Sequence, residues 1–295
     1  MRTSHKEMRR KINAEVSKIT DEELFSSAAF AAYLTDIAEA VTKRYKRRLR
    51  VETIYDTSEN AMIACTNNRN ILINTGNYIS QSMPYRKLKA ESILGLVGHE
   101  VGHMLFTNFR ISETYFSELS YGRLYPQMEL SEEEQESFTE VTDYFKAGTE
   151  AQKQAILKAA KLLLNILEDA YIEARICDRY TGRFATGIHL NNIRFTEMMP
   201  SVTEQLTNGC YRFSVFCNLL NQYCRSGDIN NRDGYTGELL DLFYDVLPLV
   251  DDAIYDEDMK RRCYAVNRIL LMVWAYIKEI AEKAEEKENT SEILQ

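Results

Sequence analysis

Apolar residues recur at helical spacing through Leu24, Ala28, Ala31, Leu34, Ile37 and Val41, and the run opens on Thr20-Asp21-Glu22-Glu23. Glu23 stands three positions after Thr20, the pattern of a capping box, so helices are predicted over 7–19 and 22–48, the second closing in a basic run. The period changes at Val51. VETIYD reads as a strand, and AMIAC and NILIN flank a TNNR turn, which predicts a hairpin over 61–74. A loop through Gly76, Ser80 and Pro84 leads into a helix from about Lys87 to Phe106. Gly98 and Gly102 lower its helix propensity, which is tolerable where another segment or a substrate strand passes close by. Residues 109–130 read as irregular and rich in tyrosine, with Tyr115, Tyr121 and Tyr125. Ser131 with Glu134 opens a further helix over 132–146, followed by another over 149–177. Residues 183–200 read as loop, and helix resumes near Thr203, with breaks near Gly227–Gly234 and Pro248.

This order predicts an α+β chain, mostly helical, with one small sheet ahead of the 87–106 helix. The corresponding division is an N-terminal helical segment 1–50, a core 51–200, a C-terminal helical segment 201–282 and a charged tail 283–295. With 295 residues, the chain can bury one large core or two modest ones. Lys plus Arg is 36 and Asp plus Glu is 44, so the net charge of −8 argues against nucleic acid as the main partner. The basic cluster Lys43, Arg44, Lys46, Arg47, Arg48 and Arg50 reads as a solvated helix end running into a strand. No apolar run reaches membrane-spanning length and no secretory segment opens the sequence, which leads to the expectation of a cytoplasmic protein with no membrane partner. The six cysteines form no C-x-x-C pair and are expected as free thiols. Cys210, Cys217 and Cys224, seven apart, read as a buried helix stripe.

Chemistry concentrates in His99-Glu100-Val101-Gly102-His103. Two histidines four apart on a helix share one face, where their nitrogens can converge on a zinc ion. The glutamate after the first histidine then reaches the attacking water as general base. The motif lies among Ile93, Leu94, Leu96, Val97, Met104, Leu105 and Phe106, and it uses two of only four histidines. A third protein ligand is needed. Phe109 stands where the longer H-E-x-x-H-x-x-G-x-x-H form has its last histidine, so that ligand comes from elsewhere. The segment Asn165-Ile166-Leu167-Glu168-Asp169-Ala170-Tyr171-Ile172-Glu173 places acids within an apolar helix, where an inward acid needs a reason. Glu168 is the leading candidate, with Asn165, Asp169 and Glu173 as groups that can hold a ligand histidine's second ring nitrogen. Asp169 and Glu173 also fit a plain wet stripe, and His189 in GIHLNN is a weaker candidate ligand.

The segments ILGLVGHEVGHMLFTNF and LLLNILEDAYIEARI resemble the N-terminal metallopeptidase-like region of bacterial and phage proteins with a von Willebrand factor A domain, the cobaltochelatase CobT-type proteins among them. The likeness covers roughly residues 50–110 and 160–180. It implies a zincin-like fold, carries the family's metal ligands onto His99, His103 and Glu168, and places the base at Glu100. The A-type domain's D-x-S-x-S motif does not occur, so nothing follows about cobalt.

The expected activity is therefore zinc-dependent hydrolysis of a peptide or protein substrate, with an extended peptide added to the strand ahead of the metal helix. The alternative is a catalytically silent metal-binding scaffold acting with a partner ATPase or A-type domain. The residue that would stabilise the oxyanion stays open among the tyrosines.

Overall fold

The computed structural model describes residues 4–45, 48–230 and 234–293, with side chains through residue 284. Its architecture is α+β, mostly helical, with one three-stranded sheet. The chain divides into two units. One comprises Met1–Leu105 with Arg175–Asn191, the other Phe106–Ala174 with Asn192–Gln295. These cuts fall at different places from the sequence-based divisions at 50, 200 and 282.

In the first unit, Ser4 and Thr20 cap helices α1 (His5–Val16) and α2 (Asp21–Phe25) in full capping boxes with Glu7 and Glu23. The single helix expected over 22–48 is instead two, because the Ser27 side chain caps a new start at Ala28 by accepting from the Phe30 N–H. The second, α3 (Ala28–Thr42), stops where Lys43 turns left-handed at φ 57°, so the helix ends ahead of Arg44. Lys46 and Arg47 of the basic run lie outside the described residues. Strand β1 (Arg50–Ile54) pairs in parallel with β3 (Asn70–Asn74), and β2 (Ala64–Thr66) pairs antiparallel on β3's other side. The expected hairpin is therefore β2–β3, with β2 at the sheet's edge.

After β3 comes the short helix α4 (Tyr78–Gln81) and then α5 (Arg86–Phe106), which carries the histidine motif. Residues 183–191, expected as loop, lie in helix α9 (Arg183–Met198). Glycine, asparagine and histidine hide its apolar register, but Phe184, Ala185 and Ile188 bury one face. Two of its positions explain α5's tolerance of glycine. A Cβ on Gly95 would stand 2.3 Å from the Gly187 carbonyl carbon, and one on Gly98 would stand 2.9 Å from the Phe184 ring. The backbones of α5 and α9 touch only because neither Gly95 nor Gly187 has a side chain.

A chain of buried polar side chains fixes α5 within this unit. Asn77 Nδ2 donates to Ser80 Oγ at 3.0 Å, Ser80 Oγ and Ser92 Oγ stand 2.8 Å apart, and Ser92 Oγ donates to Asn191 Oδ1 at 2.6 Å. Asn191 Nδ2 returns a bond to the Ser92 carbonyl. At the sheet end of the chain, Asn77 bonds the Asn74 carbonyl, and Asn74 ties down Asp56, Met62 and Gly76.

The second unit is helical around one apolar core. Residues 109–120, expected as irregular, form α6 (Phe109–Ser120), capped by Asn108 and burying Tyr115 and Leu119 at i, i+4 spacing. Helices α7 (Glu132–Ala147) and α8 (Glu150–Arg179) match expectation. After α10 (Val202–Thr207) and α11 (Arg212–Ser226), α12 (Glu238–Tyr255) runs through Pro248 without the expected break. Its buried stripe Phe243, Val246, Val250 and Ala253 continues across the proline, and that burial outweighs the lost backbone bond. Helices α13 (Met259–Met272) and α14 (Trp274–Ile293) complete the unit, so the expected tail is helical as far as Ile293. Residues 294–295 and 231–233 lie outside the described residues.

All six cysteines are free thiols. The expected cysteine stripe is only partly real. Cys217 is buried on α11 and Cys224 half-buried, but Cys210 is exposed and precedes the helix. No helix among the described residues is long and apolar enough to cross a membrane.

Candidate metal centre

Helix α5 brings two of the first unit's histidines together. His99 and His103 lie one turn apart, both half-buried, with their rings edge to face and centroids 4.8 Å apart. Their Nε2 atoms stand 3.2 Å from each other. Two nitrogens each about 2.0–2.1 Å from a tetrahedral zinc stand about 3.3 Å apart. The side chains thus already hold the spacing that a shared zinc ion requires, and they hold it inside a single helix.

Glu100 sits between them in sequence and is buried, 4 % exposed. The edge strand β2 passes within electrostatic reach of it. Burial, and then the Glu100 carboxylate, push the Cys65 thiol above its ordinary pKa. Helix α5 therefore offers two imidazoles and an acid beside the first of them. His189 lies exposed on α9.

The acids of the second unit separate into two groups on α8. Glu168 is buried, and its Oε2 accepts from Arg262 Nε at 2.6 Å. Arg262 is fully buried, donates to the Asp256 carbonyl at 2.8 Å, and lies 3.8 Å from the Tyr171 ring centroid. This ion pair gives Glu168 a reason to face inward without a metal, which counts against the ligand role expected for it. Tyr171, buried beneath Arg262, is accounted for in the same way.

Asp169 and Glu173 form the other group, one turn apart around Arg225. Arg225 Nη2 lies 3.6 Å from Asp169 Oδ2, and its Nη1 lies 3.5 Å from Glu173 Oε1. Glu173 Oε2 accepts from Asn192 at 2.7 Å. Asn165, one turn earlier, is exposed. Sequence reasoning missed both arginines. Arg225 stands 52 residues beyond Glu173 and Arg262 stands 94 beyond Glu168, and no local pattern marks them.

No protein-family model, curated protein or solved structure matches the chain.

Proposed function

We propose that this chain is a zinc-dependent peptidase of the zincin type, holding its metal through His99 and His103 on α5. The reading rests on one observation above all, the 3.2 Å separation of the two Nε2 atoms on α5. Two imidazoles one helical turn apart are the core of the ligand set of an open catalytic zinc site, which a further protein ligand completes.

Bound zinc would supply a Lewis acid and a water of lowered pKa. Glu100, buried beside His99, is the group that would hold a proton taken from an attacking water and pass it to the leaving amine. The edge strand β2 would give an extended peptide a row of backbone partners, so main-chain pairing would orient the substrate. The resemblance to the metallopeptidase-like region of A-domain proteins supports the same assignment of His99, Glu100 and His103.

The test is metal content and peptide cleavage measured together. Wild-type protein is expected to carry about one zinc per chain, His99→Ala to lose it, and Glu100→Gln to keep it while losing cleavage of a peptide library. Undiminished zinc in His99→Ala, or equal cleavage by Glu100→Gln, overturns the assignment. Zinc without cleavage in wild type replaces the peptidase by the metal-binding scaffold.

A further inference from the structure

The first unit also holds a cavity of about 460 Å³ that neither histidine of the pair lines. Its apolar wall comes from three helices: Ile37 and Val41, one turn apart on α3, Leu94 on α5 and Phe184 on α9. Leu94 and Phe184 are buried, Ile37 and Val41 half-buried. The remaining side is the turn from α8 into α9, where Arg179 is the last residue of one helix and Arg183 the first of the next. A Cβ on Gly182, between them, would meet no atom within 4 Å, so the chain leaves open space beside this turn.

The charge of this cavity runs against that of the chain. Acids outnumber bases 44 to 36 overall, yet the lining holds two arginines and no carboxylate. Arg183 Nη1 donates to the Tyr33 hydroxyl at 2.9 Å, and Arg179 Cζ lies 5.7 Å from the Tyr180 ring centroid. A phenol and a ring face restrain the two side chains without supplying a negative charge. Each guanidinium keeps further donors in one plane, the geometry that grips a carboxylate with two bonds. An anion lying there also meets the positive end of the α9 dipole.

We propose that this cavity is a binding site for a small aliphatic monocarboxylate, whose chain lies among Ile37, Val41, Leu94 and Phe184 and whose head group is held by Arg179 and Arg183. Its volume falls in the range of small-molecule sites, about 300–1,000 Å³. The apolar wall recognises a chain by the area it removes from water, and the two cations recognise a single head group at the chain's end. This site stands apart from the zinc reading, because it uses neither His99, Glu100 nor His103.

The probe is octanoate, titrated calorimetrically into the full chain, with hexanoate, octan-1-ol and octyl phosphate as comparison ligands. Wild type is expected to bind octanoate saturably, with hexanoate, two methylenes shorter, about 10-fold weaker. Octan-1-ol, which lacks the charge, is expected to bind weaker by about 10-fold or more. Arg179→Gln combined with Arg183→Gln changes two exposed side chains, so it is expected to melt close to wild type. Its octanoate affinity is expected to fall by about 10-fold or more. Ile37→Trp fills the cavity and is expected to remove binding. Absence of saturable octanoate binding to wild type overturns the proposal, as does wild-type affinity in the double arginine variant or equal affinity for octan-1-ol. Tighter binding of octyl phosphate overturns the carboxylate assignment. Full binding by a folded Ile37→Trp overturns the placement of the chain. If that variant does not fold, hexanoate decides instead: affinity equal to that of octanoate puts the chain outside the cavity.

Discussion

Replacing Glu168 by leucine separates the two explanations for an acid inside the apolar stretch of α8. The partner left behind is Arg262, fully buried, with Nε bonded to Glu168 at 2.6 Å. Removing one member of a buried pair leaves an uncompensated charge and costs about 3–5 kcal/mol. For unfolding of a helical unit of this size, that corresponds to a melting temperature lower by roughly 6–20 °C. The pair is also incompletely satisfied, since Glu168 Oε1 and Arg262 Nη2 have no hydrogen-bond partner among the described residues. An apolar replacement of both ends should therefore cost little. Glu168→Leu combined with Arg262→Met is expected to recover most of the lost stability, because no charge is then stranded. The assay is thermal or urea unfolding followed by circular dichroism for wild type, both single variants and the double variant, with zinc content measured alongside. The reasoning is refuted if Glu168→Leu melts within a degree or two of wild type yet loses its zinc. The carboxylate would then serve the metal, and Arg262 would be incidental to it.

Two further outcomes are expected. Gly95→Ala pushes a methyl into the Gly187 backbone at 2.3 Å and should cost at least 1–3 kcal/mol, about the usual toll of overpacking. Gly98→Ala meets only the Phe184 ring at 2.9 Å, so chemical denaturation should find it the milder of the two. The single tryptophan, Trp274, donates to Glu140 at 2.8 Å. That bond and the one from Lys278 hold the Glu140 carboxyl below its ordinary value of 4.5, against a smaller opposing effect of burial. A depressed acid stabilises the fold above its unfolded pKa and loses that contribution as the pH falls through its folded one. Tryptophan emission should accordingly shift in a step below pH 4.5 that is absent from Glu140→Gln, and the stability difference between the two proteins should close over the same step. A step above 4.5 would contradict the sign.

Much of the fold was legible because it is encoded locally. The capping boxes at Thr20 and Ser131, the alternation of NILIN and the apolar run of α8 each specify their element within a dozen residues. Helices α6 and α9 were not legible, for a physical reason. Their apolar faces are narrow and mixed with tyrosine, glycine and asparagine, so the helix is decided by burial of Tyr115 and Leu119, or of Phe184 and Ile188, against distant segments. Ser26-Ser27 and Pro248 show the same limit in opposite directions. A serine cap divided one predicted helix, and a continuous buried stripe carried another through its proline. At the site, the i, i+4 spacing of His99 and His103 made their meeting readable. What Glu168, Asp169 and Glu173 do depends on Arg262 and Arg225, and nothing near α8 in sequence announces either.

The serine and asparagine chain behind α5 bears on angular precision. A helix with one apolar stripe is held in rotation by that stripe. Helix α5 buries Ile93, Leu94, Leu96 and Val97 in close succession, so its apolar surface nearly encircles it and resists turning only weakly. Side-chain tips lie about 5–6 Å from a helix axis, so a rotation of about 10° would carry both imidazoles about 1 Å sideways. Displacements of that size are enough to cost a catalytic site about 100-fold. Ser92, keyed between Ser80 and Asn191 by bonds of 2.8 and 2.6 Å, works as a dowel through the helix. Directional hydrogen bonds fix the angle at which His99, Glu100 and His103 are presented, where close packing alone would leave it loose.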